Sequence, residues 1–437
     1  MIKSNFRSLS GVLFLTLIFL VFVVTTVCAE DQNLMYQYQT KLLGVAEGYT
    51  NGMDIAVDTA GNYYITGITD GNLDGQTKIG KTDAFIAKYD KNSNKQWTRL
   101  LGGSQDTIGN SVVLDNNGNC YITGITDGNL DGQTKIGKID AFIAKYDKIG
   151  NKQWIKLLGV AKSETSGYKI VIDSAGNYYI TGDTDGNLDG QTKTGNTDAF
   201  IAKYDKNGNK QWTKLLGVAG SSTYGTGIAI DSSDNCYITG HTTGNLDGQT
   251  KLGDIDAFIV KYDKNGNKQG KAKLFGVAKN STYGIDVAID SIGNCYITGE
   301  IYKDFMKDYV DAYIVKYDKD LKQETLKLFG EDKKYTTGTG IAIDSADNCY
   351  ITGDTNGNLD GQTKIGKTDT FIVKYDKNLI KQGKAKLFGV AGKKTRGMSI
   401  VVDSTSNCYI TGDTDGNLDG QVKIGIMDAF IISKVNP

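Results

Sequence analysis

The chain is 437 residues long and carries 49 Lys and Arg against 50 Asp and Glu, a formal net charge of −1. No basic field exists to hold nucleic acid, and beyond residue 29 only Arg99 and Arg396 could clamp a phosphate or carboxylate in two-pronged fashion. Glycine is abundant at 55 residues while proline occurs once, as Pro437, so Gly-rich turns must punctuate an all-β chain.

At the N-terminus Lys3 and Arg7 precede an almost wholly apolar run from Val12 to Val27, which ends in Val27-Cys28-Ala29 before the polar Glu30-Asp31. A basic region, an apolar region and small residues at a cleavage point read as a signal peptide over residues 1–29. An uncleaved anchor and lipidation at Cys28 are the alternatives. The run of 16 residues falls short of the roughly 20 that span hydrocarbon comfortably. Each version exports the remainder, making the protein secreted or cell-surface. Membrane attachment follows only if the segment is uncleaved or lipidated.

From residue 30 onward the chain repeats. An Asp before each turn recurs as Asp58, Asp115, Asp173, Asp231, Asp290, Asp344 and Asp403, at spacings of 57, 58 or 59 residues and once 54. A Thr-Gly follows each, ending at Gly67, Gly124, Gly182, Gly240, Gly299, Gly353 and Gly412. Such a period means stacked structural units. In the third unit, Gly167 to Asp173 is a β-branched strand, Ser-Ala-Gly-Asn a turn, and Tyr178 to Thr184 a second strand. Asp198 to Asp205 is the third, and Lys210 to Gly217, after a Lys-Asn-Gly-Asn turn, the fourth. Four antiparallel strands per unit make a propeller blade.

The ends are out of phase in an informative way. Thr40-Lys41-Leu42-Leu43-Gly44 matches the fourth-strand sequence Thr213-Lys214-Leu215-Leu216-Gly217, yet no first three strands precede it, and the last unit stops after its third strand, Asp428 to Val435. The expectation is a single all-β domain over residues 30–437. It is a seven-bladed β-propeller with four antiparallel strands per blade, the last blade closed by the N-terminal strand. Closure pairs the two edges that an open stack would leave exposed.

The Asp-x-x-Gly-Asn-x-Tyr-x-Thr-Gly turn, the Asp-Ala-Phe-Ile-x-Lys-Tyr-Asp strand and the Leu-Leu-Gly ending resemble the SBBP-type bacterial β-propeller repeat family. The resemblance covers residues 35 to 437. It implies the propeller fold and an exported or surface location, and it implies no catalytic residue.

The long loops belong on one face of the ring, where a site is expected. Six blades carry Gly-Asn-Leu-Asp-Gly there, while the fifth substitutes Glu300 to Val310 and is four residues shorter. Candidate ligand-binding residues are the loop pairs Asn72 and Asp74, Asn129 and Asp131, Asn187 and Asp189, Asn245 and Asp247, Asn358 and Asp360, and Asn417 and Asp419.

Four loops also have the spacing of a calcium loop's first half: Asp70/Asn72/Asp74, Asp127/Asn129/Asp131, Asp185/Asn187/Asp189 and Asp415/Asn417/Asp419. Against calcium, the twelfth position is Lys81, Lys138, Asn196 or Ile426 instead of Glu, and the ninth is Lys in all four. The competing reading is two consecutive tight turns capped by Asp side chains. No cofactor is required, with calcium the one cofactor in play.

The Asp that opens each third strand (Asp83, Asp140, Asp198, Asp256, Asp311, Asp369, Asp428) recurs in every blade. That regularity indicates a backbone-bonding role. Cys120, Cys236, Cys295, Cys349 and Cys408 share one position, filled by Tyr63 and Tyr178 elsewhere, and read as buried thiols. His241, the one histidine in the chain, reads as a polar residue at a strand end.

The leading functional reading is an exported binding scaffold that recognises a glycan, an envelope polymer or a surface protein through its repeated loops. A lyase or hydrolase at the central mouth is the alternative, with Glu300, Tyr302, Asp304 and Asp308 of the fifth blade as the asymmetric candidates. A calcium-stabilised structural or adhesive ring is the third.

Overall fold

The computed structural model describes residues 38–304 and 309–437, so the segment expected to be a signal peptide, with Cys28, as well as Asp308 and the side chain of Asp304, lie outside the described residues. The chain forms seven four-stranded antiparallel sheets around one axis. Blade 1 runs Thr50–Val57, Tyr63–Thr69, Asp83–Tyr89 and Lys95–Leu101 from the axis outward, and the later blades repeat that order. Each first strand packs against the first strands of both neighbouring blades, which puts it at the axis. The third strands are sandwiched between blades, so Asp-Ala-Phe-Ile-Ala is buried at every position instead of alternately.

Closure is as the phase of the ends requires. Gln39–Leu43 pairs with Asp428–Val435 in the last sheet, with Gln39 opposite Ser433 and Leu43 opposite Ala429. The hydrophobic core is correspondingly divided into layers between adjacent blades. Between blades 7 and 1, Tyr409 and Ile431 meet Ile55, Tyr63, Leu73 and Phe85.

Two Asp positions fix the turns and strand ends. Asp58 accepts the N–H groups of Ala60 (2.9 Å) and Asn62 (2.8 Å), closing the short turn between the first two strands. Buried Asp83 accepts those of Ile79 and Gly80, both at 2.8 Å. A Cβ on Gly102 would stand 2.0 Å from the Asp83 Oδ1, so the Leu-Leu-Gly ending and the Asp of the third strand require each other.

The long loop does not project as a free rim. It folds back along the outermost strand. Leu73 is fully buried, and the Gln76 amide donates to the Thr98 carbonyl while accepting the Leu100 N–H at 3.2 Å. Gln133 donates to the Ile155 carbonyl of blade 2 at 2.7 Å. These are backbone groups that the third strand leaves unpaired, so the repeated loop covers an edge otherwise open to another chain. In blade 5 the loop is replaced by a longer hairpin, Cys295–Asp304 with Tyr309–Tyr317.

First strands run from the long-loop face to the short-turn face, and each shifts register after its Gly, as between Gly52 and Asp54. The residues that follow the shift form a ring around the axis: Asp54, Ser111, Lys169, Gly227, Asp286, Gly340 and Ser399. Lys169 Nζ lies 3.2 Å from Asp54 and 3.9 Å from Asp286. Ser111 and Ser399 donate to the two oxygens of Asp54 at 2.6 and 2.5 Å. Burial alone would lower the Lys169 pKa, but the Asp286 and Asp54 charges reverse that and hold the amine above its ordinary value. Below the ring a cavity of about 320 Å3 with aliphatic walls, including Val57, Leu114 and Val171, opens to the short-turn face.

Replacing Lys169 with Met leaves two buried carboxylates without their counter-ion. Urea denaturation should register a loss of about 3 kcal/mol, and adding Asp54→Asn and Asp286→Asn should restore most of it. A single variant as stable as the parent would mean the ring is not held by charge.

Candidate functional site at the long-loop mouth

Above the axial ring, the mouth is built from two positions per blade. One is the residue after Thr-Gly on the second strand: Ile68, Ile125, Asp183, His241, Glu300, Asp354 and Asp413. The other is its cross-strand partner on the first strand: Asn51, Ile108, Ser166, Tyr224, Tyr283, Thr337 and Arg396. The scaffold repeats, but these residues do not. Blades 1 and 2 contribute mainly isoleucine, whereas blades 3 to 7 form a continuous polar and aromatic arc.

His241 sits at the middle of that arc. Tyr224 stacks on it with ring centroids 4.9 Å apart, and Tyr283 of blade 5 meets it edge-on at 4.8 Å. Tyr302 packs edge-on against Tyr283 at 5.5 Å. Burial lowers the His241 pKa to about 4, so the imidazole is neutral near pH 7, and its buried Nδ1 has no hydrogen-bond partner among the described residues. A residue that reads from sequence as an isolated strand-end polar group is the centre of an aromatic cluster. Only ring geometry brings these side chains together.

Acids flank the cluster on both sides. Burial pushes the Asp183 carboxyl up to about 6, against the opposing pull of the Tyr168 hydroxyl. On the far side burial pushes Asp354 up to about 7, although Thr337 donates to it at 3.1 Å and Arg396 is near. Arg396 is committed to Asp413, with Nε and Nη2 both 2.9 Å from Oδ1. The charges of Glu300 and Asp354 both act on Tyr335, which ties blades 5 and 6 into the same arc. Glu300 and Tyr302, singled out from sequence, lie in this arc.

The repeated loop residues are placed elsewhere. Asn72, Asn129, Asn187, Asn245, Asn358 and Asn417 each accept the N–H of the Lys six residues on, at 2.9 to 3.1 Å. Asp74, Asp131 and Asp189 pair with Lys95, Lys152 and Lys210 on their own outer strands, and Asp247 and Asp360 with Lys268 and Lys381, which precede theirs. Asp419 instead takes the hydroxyls of Tyr38 and Thr40 on the closing strand. Asp70, Asp127, Asp185 and Asp415 accept the N–H groups of Tyr49, Asp106, Glu164 and Lys394 at 2.6 to 2.7 Å. The three oxygens of each Asp-x-Asn-x-Asp set thus point to three different partners. Among the described residues, no group of three or more His, Cys, Asp or Glu side chains is arranged to hold a metal ion. The five repeat-position cysteines are free and buried, and burial raises their thiol pKa values.

The SBBP family, described as a β-propeller repeat, matches residues 40–74, 96–131, 153–189, 211–247, 327–360 and 384–419. The chain belongs to the SBBP β-propeller repeat family. Each SBBP match begins on the outer strand of one blade and ends at the loop Asp of the next, so the sequence repeat straddles the blade boundary. The interval without a match, between 247 and 327, contains the blade-5 hairpin that replaces the loop. FlaEY, a regulatory protein of Caulobacter vibrioides, is 25% identical over 261 residues, which are 52% of this SBBP chain and 27% of that protein. The chain spans less than a third of the length of the curated relatives it matches. Among solved structures, an ulvan lyase of a polysaccharide lyase family aligns with a TM-score of 0.57 at 11% identity, covering 91% of this chain and 96% of that one. The WD40 domain of Neurospora crassa Pan2 aligns with a TM-score of 0.51 at 10% identity, covering 92% and 97%. At such identity these likenesses show the fold alone.

Two outcomes follow from the site geometry. The Asp354 carboxyl has a folded pKa raised to about 7 from an ordinary value of about 4. Its contribution to stability is therefore complete below that ordinary value and lost as pH rises through the folded one. Asp354→Asn should gain in melting temperature relative to the parent between pH 4 and pH 8, and a constant difference would place the titration elsewhere. For the loops, whose oxygens are already bonded within the SBBP chain, adding calcium or a chelator should leave the melting temperature unchanged. A calcium-dependent rise would mean the loops rearrange to bind it.

Proposed function

We propose that this SBBP propeller is an exported glycan-binding protein whose binding site is the mouth of the ring, lined by blades 3 to 7. The observation that carries the reading is the arc of unlike residues on an otherwise repeating scaffold. It combines aromatic faces suited to sugar rings (Tyr224, Tyr283, Tyr302), buried polar atoms left without partners among the described residues (His241 Nδ1, Asp183 Oδ1, Asp413 Oδ2) and one guanidinium, Arg396. Buried polar atoms of that kind are costly unless a ligand or water completes them. Envelope polymers are the natural class of ligand for an exported chain. The chain enters blade 7 beside Ser433, at the short-turn end of the outer strand, so a tether there would leave the mouth facing away from its attachment.

A second reading rests on His241. A neutral imidazole between two tyrosines can take a proton from a bound sugar, the first step of a lyase reaction. The ulvan lyase with the same fold makes that reading worth a direct test.

The experiment is a binding screen of the exported chain against envelope and extracellular polysaccharides, with product formation followed in parallel. Tyr283→Ala and Tyr224→Ala should each weaken glycan binding about tenfold or more, whereas Asp74→Asn at the outer edge should leave it unchanged. Equal loss from the edge variant, or no glycan retained at all, would end the proposal. Unsaturated sugar products that vanish in His241→Ala would establish the lyase reading.

A further inference from the structure

We infer that the glycan recognised at the mouth carries free amino groups, bound as primary ammonium ions by the carboxyls and tyrosine faces of blades 3 to 7. The inference rests on the glycan-binding reading above and names the chemistry of its ligand. Charge comes first. The positions after Thr-Gly supply four carboxyls to the mouth, Asp183, Glu300, Asp354 and Asp413, against one guanidinium on the facing strand positions. That guanidinium is spent: Arg396 holds Asp413 through two nitrogens at 2.9 Å. The floor adds no positive field, because Lys169 is enclosed by Asp54 and Asp286.

The aromatic groups point the same way. Tyr224, Tyr283 and Tyr302 succeed one another around His241. The face of a tyrosine ring carries the negative part of its quadrupole and attracts an alkylammonium. The same chain already uses this contact structurally, with Lys203 Nζ 4.7 Å from the Tyr179 ring centroid and Lys261 Nζ 4.8 Å from that of Tyr237.

A third observation concerns what the protein leaves unpaired. Asp183 is 8% exposed and Asp413 1% exposed, and each has one buried carboxyl oxygen without a hydrogen-bond partner among the described residues. An ammonium brings three donors and a positive charge to such acceptors. A carboxylated or sulfated sugar would meet four acids. A neutral sugar would bring no charge to the acids that Arg396 does not already hold.

The test is calorimetric titration of the exported chain at low and moderate salt with a glucosamine tetramer, its fully N-acetylated counterpart, a glucuronate oligomer and spermine. The inference expects the glucosamine tetramer to bind at least about tenfold more tightly than the acetylated form, with salt weakening it. Glu300→Gln and Asp354→Asn should each erase most of that preference while remaining folded at neutral pH, with Asp354→Asn melting no lower than the parent. Tighter binding of the acetylated or the acidic oligomer overturns the ammonium inference and leaves the glycan reading standing. Binding of spermine as tight as that of the tetramer upholds ammonium recognition and removes the glycan. Silence from all four overturns the inference, and the broader screen then decides the glycan reading by itself.

Discussion

Closing seven sheets into a ring forces the innermost strands together, and that approach dictates most of the repeat. A Cβ on Gly109 would stand 2.5 Å from the Thr66 hydroxyl of the preceding blade, and one on Gly67 would stand 1.9 Å from the Asn51 carbonyl. Neither position admits a side chain. The Thr that precedes Gly67 is equally constrained, because its hydroxyl, buried against the neighbouring blade, needs an acceptor and finds the Phe85 carbonyl at 2.7 Å. The Thr of each Thr-Gly and the Gly of each first strand are therefore requirements of closure, while the Gly of Thr-Gly answers to the register shift within its own blade. A residue that recurs seven times for that reason is unavailable for a task needed once.

The same logic sorts the remainder of the molecule. The outer edge of each blade needs cover, and the Leu-Asp-Gly-Gln of the long loop provides it by burying Leu73 between blades and bonding Gln76 to the exposed strand. What closure and edge cover leave free is the position after Thr-Gly, its partner across the strand pair, and the residue after the register shift. These are the positions at which the blades differ from one another: isoleucine in blades 1 and 2, acid, histidine and tyrosine in blades 3 to 6, and an acid–guanidinium pair in blade 7. Apart from the blade-5 hairpin and the outer strands, variation is concentrated at the axis because most other repeated positions are already committed.

Much of this was legible in the sequence. The seven recurrences of the turn Asp carried the blade count, and the phase of Thr40–Gly44 against Thr213–Gly217 identified the closing strand, since hydrogen-bond pairing must be completed somewhere. The regular Asp of the third strand was readable as a backbone acceptor for the same reason. The fate of the long loops was not. Strand alternation says which face a loop leaves from, but its folding back depends on two unpaired groups of a strand more than twenty residues away. The arc was hidden for a related reason. Tyr224, His241 and Tyr283 belong to different strands and two blades, so no local spacing joins them, and only rotation about the axis does. One signal was available all the same: the residue after Thr-Gly changes from blade to blade inside a motif that otherwise hardly changes, and such departures mark where a repeat scaffold carries its individual chemistry.

The distribution of uncompensated groups follows from that division. Buried carboxyls with raised pKa and a histidine with a lowered one each cost stability in the unliganded state, and a small domain with one core would tolerate few of them. Here the core is divided into layers between blades, and the unfavourable groups sit at the inner end of those layers without interrupting the Tyr, Ile and Phe that fill them. The axial ring meets the same problem by internal means, placing Lys169 between Asp54 and Asp286. Among the described residues no cation is paired with Asp183, and Arg396, which lies near Asp354, is bonded to Asp413. One end of the axis is thus electrostatically completed by the protein itself through a single lysine supplied by one blade, while the other, on the reading proposed above, is completed by a ligand.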